Sequence, residues 1–176
     1  MAFLDLAKSR YSERHFAPDP IEPEKLAQIL EAGRVAPTAR NLQPQRILVV
    51  QSAEGLTKID RASKCRFGAP TVLVLTYDMT VASRSPDVVD FGIVDTSIVA
   101  THMMLQASEL GIHSCWVGLI DPSELRRQFE IPRTHRIISI MPLGYPSEES
   151  HPAHLHDESI PLEQMVTWET FADHCG

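Results

Sequence analysis

The sequence predicts a mixed fold, α/β or α+β, built around one central sheet. Two observations carry this. Segments with apolar residues at helical spacing alternate with short β-branched runs. A chain of 176 residues, 43% apolar and 22% charged, also suits one domain (1–176) with a core large enough to need no disulfide or metal.

The elements follow in order. Residues 3–8 form a short amphipathic helix leading into a polar extended stretch, 9–19, which Pro18 and Pro20 close. From Pro23 a helix is predicted on Leu26, Ile29, Leu30 and Gly33, which recur at helical spacing, and it stops before Pro37. Residues 47–50 are a short buried strand and 53–64 a helix. The clearest strand is 71–77, rich in β-branched residues after Pro70, and 78–87 is loop-like.

The longest helical pattern covers 90–110, with Ile98, Thr101, His102 and Leu105 on one stripe and apolar residues on several other faces. Such a helix belongs in a core or a subunit interface, and Gly111 is its C-cap. A small strand is expected at 114–117. Asp121-Pro122-Ser123-Glu124 is a helix start with an Asp cap and a Glu at the capping-box position, and the helix runs to Phe129. Residues 136–143 are another strand, 144–146 a turn and 147–161 a polar, Pro/His-rich tail. The last segment, 162–171, is a short helix or an addition to the edge of the fold.

The formal charge of −7 offers no basic face for a nucleic acid, although a local pocket for one anion stays open. Cys65, Cys115 and Cys175 are widely spaced and contain no CxxC, which suits a reducing compartment. There is neither a signal-like leader nor a run near the roughly 20 apolar residues of a membrane span. The expectation is a cytoplasmic protein without nucleic-acid or membrane partners. No Gly-rich loop joins a strand to a helix, so a nicotinamide reductant would dock transiently rather than occupy a Rossmann site.

Two stretches carry candidate chemistry. In an extended Arg10-Tyr11-Ser12-Glu13-Arg14, alternate side chains share a face, which gathers Arg10, Ser12 and Arg14 and turns Tyr11 and Glu13 elsewhere. Two guanidinium forks and a hydroxyl match a phosphate monoester, although the string taken alone also suits a solvated surface segment. Residues 36–44, Ala-Pro-Thr-Ala-Arg-Asn-Leu-Gln-Pro, are dense in groups that can hydrogen-bond a polar ring edge. They suit a helix-terminating loop equally well.

Taken in order, the motifs resemble those of the nitroreductase family over nearly the whole chain. Arg10, Ser12, Arg14 and Phe16 fit its Arg-x-Ser-x-Arg-x-Phe segment. Ala36, Pro37, Thr38, Asn41, Gln43 and Pro44 fit Ala-Pro-Ser-x-x-Asn-x-Gln-Pro, with Thr in place of Ser. An Asp-led helix from Asp95 through Ala107 follows, then residues 110–118 resembling Leu-Gly-x-x-Ser-Cys-Trp-x-Gly, then Leu143-Gly144-Tyr145-Pro146.

The resemblance implies an α+β three-layer sandwich, a central mixed sheet flanked by helices, with non-covalent FMN at a homodimer interface. Arg10, Tyr11, Ser12 and Arg14 would hold the phosphate and ribityl end. Pro37, Thr38, Ala39, Asn41 and Gln43 would reach the flavin from the partner chain, and Trp116, Val117 and Gly118 would lie beside the ring. The implied activity is ping-pong transfer of reducing equivalents from NAD(P)H through flavin N5 to an electron-poor acceptor: a nitroaromatic, a quinone or a flavin. Other flavin chemistry on the same scaffold (dehalogenation, dehydrogenation, flavin fragmentation) and non-catalytic FMN binding stay open.

One departure stands out. Relatives place a basic residue before a Pro-Leu-Glu-Glu segment, where this chain has Asp157 and Glu158 ahead of Pro161. Either these carboxylates point to solvent or FMN affinity falls; Lys64 and Arg66 are candidate substitutes or plain surface cations. His151, His154 and His156 fit a solvated tail, or a place near the phosphate, better than a metal site. Cys115 reads as a packed small residue rather than a nucleophile.

Overall fold

A computed structural model of the chain describes residues 2–83 and 90–171. The elements are α1 (Phe3–Ser9), α2 (Pro23–Arg34), a 3-10 turn (Ala39–Asn41), β1 (Gln45–Val50), α3 (Ala53–Ala62), β2 (Thr71–Asp78), α4 (Phe91–Glu109), β3 (His113–Ser114), α5 (Pro122–Phe129), β4 (His135–Gly144), a second 3-10 turn (His154–Asp157) and α6 (Leu162–Met165). The strand order is β1-β2-β4-β3, and every named pair is antiparallel. The parallel component is a single bridge, Ser12 to Ser114, which adds the N-terminal arm to the β3 edge.

β2 explains the three layers. Its side chains alternate, and both sets are buried because both faces are covered. Leu73 and Leu75 join Met141, Leu143, Ile29, Val99 and Met103 on the α2/α4 side. Val72 and Val74 join Ile140, Ile59, Ala62 and Leu125 on the α3/α5 side. Each fully buried Leu, Ile or Val contributes about 1.5–3 kcal/mol, so the sandwich is held from both faces.

α4 buries Val99, Ala100, Met103 and Ala107, whereas Thr101 and His102 of the expected stripe face solvent and Ile93 and Val94 are also exposed. Its start is fixed by Asp90, whose carboxylate accepts from Gly92 N, from the Tyr77 hydroxyl and from Arg136. Gly92 is required there: a Cβ would lie 2.2 Å from the Tyr77 ring. Gly111, at φ +73°, follows the helix as expected of a C-terminal glycine.

Several boundaries differ from expectation. α3 ends at Ala62 and α6 at Met165, so 166–171 continues without helix. The 114–117 strand is observed as β3 at 113–114 plus an isolated bridge, Val117 to Ile140; between them Pro142 accepts from Cys115 N but has no N–H to donate in return. Asp121 caps α5 by accepting from Ser123 N and Glu124 N, but the box is half made: Glu124 turns to Arg127 and Gln128, and Asp121 N donates to the Ala62 carbonyl. Residues 84–87 of the expected loop, and Cys175, lie outside the described residues. Among the described residues no helix is long and apolar enough to cross a membrane.

Candidate functional site

The arm after α1 is extended from Arg10, where the helix ends at φ −69°, ψ 128°. Glu13 N donates to the Ser114 carbonyl at 2.9 Å, Ala17 N to Tyr145 O at 2.8 Å, and Ser147 N to His15 O at 2.8 Å. The arm therefore crosses from the β3 edge to the turn after β4. Phe16 closes this course by packing on Gly144, where a Cβ would stand 3.1 Å from its ring.

The side chains of the arm differ in their surroundings. The Ser12 hydroxyl and the charges of Arg14 and Arg10 all act on the buried Cys115 thiol, the residue that follows β3. Burial pushes that thiol up, with the two cations and the Ser12 hydroxyl pulling the other way. Cys115 is thus a packed thiol rather than an activated one.

Glu13 is fully buried. Its carboxylate accepts from Arg14 N at 2.9 Å, His15 N at 2.8 Å, His113 Nδ1 at 3.0 Å and the Ser150 hydroxyl. Burial alone would raise its pKa, but these donors outweigh burial and hold it below the ordinary Glu value. The Tyr11 side chain belongs to the same anchor: its hydroxyl lies 2.6 Å from Ser150 Oγ and its ring meets His113 edge-on at 4.9 Å.

The donor set suits an anion. Among the described residues neither Arg10 nor Arg14 forms an ion pair, whereas Arg34, Arg66, Arg127 and Arg136 are each spent on a carboxylate. Arg14 reaches only the Ser12 carbonyl, at 3.2 Å. In the small cleft shared with Arg10, the buried Ser114 Oγ has no hydrogen-bond partner among the described residues. Free guanidinium groups and an orphaned hydroxyl fit a phosphate.

The second segment, 36–44, stands at the other corner of the sheet. It feeds β1 at Gln45, which pairs with Tyr77 at one end of β2, whereas Ser114 pairs through Leu143 to Thr71 at the other end. The two segments are separated by roughly 20 Å along the strands and about 14 Å across them. The loop is strained: Arg40, Asn41 and Gln43 have φ of 54°, 56° and 51°. It is held by Ala39 N, which donates to Asp95 Oδ1 at 2.8 Å, and by Gln43 N on Thr38 Oγ1 at 3.0 Å. Pro37, Asn41 and Gln43 are exposed, and Thr38 and Ala39 half-buried.

Trp116 and Val117 follow Cys115 directly. Val117 is buried, and both its backbone groups are used on Ile140. Gly118 faces open space, with nothing within 4 Å of a built Cβ.

A family model described as "Nitroreductase family" matches residues 7–67 and 65–145. The chain belongs to the nitroreductase family. Among solved structures it is similar to a nitroreductase family protein of Clostridium difficile 630, with 38% identity and a TM-score of 0.90, covering 97% of this chain and 99% of that one. It is also similar to an FMN-dependent nitroreductase of Clostridium difficile R20291, at 25% identity and a TM-score of 0.78, covering 96% and 99%. A protein named NADH dehydrogenase in Thermus thermophilus is 29% identical over 198 residues, 92% of this chain and 93% of that protein.

In this nitroreductase-family chain the acidic departure turns outward: Asp157 and Glu158 are both exposed. Arg66 is no substitute cation, because it is fastened to Asp60 and to the Ala69 carbonyl, and Lys64 is exposed. The tail histidines lie over the arm, His151 stacked on His15 at 5.5 Å and His156 edge-on to Tyr11 at 5.9 Å. Glu13, His113, Ser150 and Asp95 organise the two segments, yet the sequence reading assigned none of them to a site. The available signal was weak, a lone acidic residue at an inward alternate position of the arm.

Proposed function

We propose that the chain is an FMN-dependent NAD(P)H oxidoreductase acting as a homodimer with shared flavin sites. The observation that carries this reading is the sorting of the arm. Among the described residues Arg10 and Arg14 pair with no carboxylate, with Ser12 at an alternate position between them, while Tyr11 and Glu13 are fastened to Ser150 and His113. When bound, FMN would supply the redox chemistry, hydride transfer through N5 between NAD(P)H and an electron-poor acceptor such as a nitroaromatic, a quinone or a free flavin.

The chain's own residues bind and orient. Arg10 and Arg14 neutralise the phosphate with charge-assisted hydrogen bonds, and Ser12 adds a hydroxyl donor. The Trp116–Gly118 segment supplies a wall beside the ring: Val117 is rigid because both its backbone groups are paired, and Gly118 lets a planar group approach. Pro37, Thr38, Ala39, Asn41 and Gln43 complete the site from a second copy. Their diagonal separation from the arm supports this, since one flavin would touch both segments only where two chains meet. The exposed apolar residues Phe3, Leu4 and Val35, and Leu162, Met165, Trp168 and Phe171 of the tail, suit burial by that partner.

The test is direct. Purified protein is expected to be yellow, to elute as a dimer and to bleach anaerobically with NADH or NADPH. A colourless protein that gains no FMN absorbance on titration ends the reading. Steady-state turnover with menadione or a nitrofuran separates a reductase from other flavin chemistry on this scaffold.

A further inference from the structure

Resting on the FMN reading above, we infer that Glu13 is a positioning residue for the phosphate end of the flavin site. It touches none of the proposed ligand and acts by fixing the backbone that carries Arg10, Ser12 and Arg14.

The geometry is specific. Glu13 has no exposed surface, and both oxygens are used. Oε1 accepts from the backbone N–H of Arg14 and of His15, and Oε2 from Ser150 Oγ and His113 Nδ1. One carboxylate thereby ties together the arm, the first residue of β3 and the segment after β4. The bond to Arg14 N lands on a grip residue itself, so the Cα of Arg14 is held while its guanidinium stays free of carboxylates. Tyr11 reinforces the same anchor through Ser150.

Electrostatics argue for positioning over attraction. A carboxylate one residue from Arg14 and three from Arg10 opposes an anionic ligand. Burying it also costs desolvation, which its donors must offset. Its benefit is therefore geometric: four donors converging on one group fix the arm more tightly than its backbone bonds to Ser114, Tyr145 and Ser147 would alone.

The experiment separates phosphate positioning from general folding. The full-length chain is dialysed against an equimolar excess of FMN and riboflavin, and the bound flavins are quantified. Riboflavin lacks only the phosphate, so the ratio reports on the grip. Glu13→Ala is expected to lower the preference for FMN over riboflavin roughly tenfold or more, in line with outer-shell partners of bound ligands. Glu13→Gln is expected to fall between wild type and Glu13→Ala. Its amide oxygen still accepts from Arg14 N and His15 N, but its NH2 group faces the Ser150 hydroxyl and His113 Nδ1 where Oε2 accepted. Ser150→Ala, which deletes one donor, should lower the ratio a few-fold and serves if Glu13→Ala does not fold.

An unchanged ratio in Glu13→Ala, or in Ser150→Ala where Glu13→Ala is insoluble, overturns the inference, as does a Glu13→Gln loss as large as that of Ala. Arg10→Ala is the control on the underlying reading. If it also leaves the ratio unchanged, the grip itself is wrong; if it alone collapses the ratio, only the role of Glu13 is wrong.

Discussion

The arm at 10–16 and the loop at 36–44 carry the two halves of the proposed flavin site and are held by opposite means. The arm has an ordinary extended backbone and is fixed through its own buried Glu13 carboxylate, which reaches His113 and Ser150 far away in sequence as well as the N–H groups of Arg14 and His15. The loop fixes itself. Three non-glycine residues sit at positive φ, Ala39 N donates to Asp95 of α4, and the Pro44 carbonyl accepts from Asp78 N at the end of β2. A segment that must keep two cations aligned spends burial and charge. A segment that exposes most of its groups spends local backbone strain instead.

The largest effect should come from breaking the arm's ligand face. Arg10→Ala or Arg14→Ala is expected to weaken FMN binding about a hundredfold, since charge-assisted hydrogen bonds contribute roughly 1.5–3 kcal/mol each. The apo-protein melting temperature should scarcely move, because neither side chain forms an ion pair among the described residues. Flavin titration and a thermal melt check both halves of this expectation.

Next comes the loop's tether. Asp95→Ala leaves Ala39 N without its acceptor and should cost about 1–3 kcal/mol in denaturant unfolding. Asp95→Asn keeps the accepting oxygen. Because Oδ2 is buried with no partner among the described residues, Asn should fall within about 1 kcal/mol of wild type. A large loss in Asn would show that the carboxylate charge matters in its own right.

The arm's anchor also predicts a pH effect. Glu13 is held below its ordinary pKa, so its contribution is complete above the unfolded value near 4.3. It is lost as pH falls through the lower folded value. Glu13→Gln should flatten the acid limb of a stability–pH curve below about pH 4.3 and lower stability by a pH-independent amount near neutrality, where the carboxylate's contribution is complete. The smallest effect belongs to the strained loop: Arg40→Gly should stabilise by about 0.5–1 kcal/mol, because glycine adopts φ near 54° without a Cβ clash.

Much of this was legible in the chain itself. The period-2 reading of Arg10, Ser12 and Arg14 needs only an extended backbone, and the arm is extended. β2 announced itself by its β-branched run, and Pro23, Asp121 and Gly111 mark helix ends by local rules that no neighbour overrides. Residues 162–171 failed as a helix beyond Met165 because an exposed segment has no core face to reward the pattern. The 114–117 strand shrank where Pro142 of its partner strand has no N–H to continue the ladder.

Periodicity, caps and the face on which alternate side chains fall are governed by neighbours along the chain, and all three could be read from the residues in order. Packing decided the rest. It put Glu13 against His113 and Ser150, 100 and 137 residues away, tethered Ala39 to Asp95, and set the two flavin segments at opposite corners of the sheet. These are products of strand order and layer packing, and a local pattern carries no signal for partners that meet once the sheet has folded.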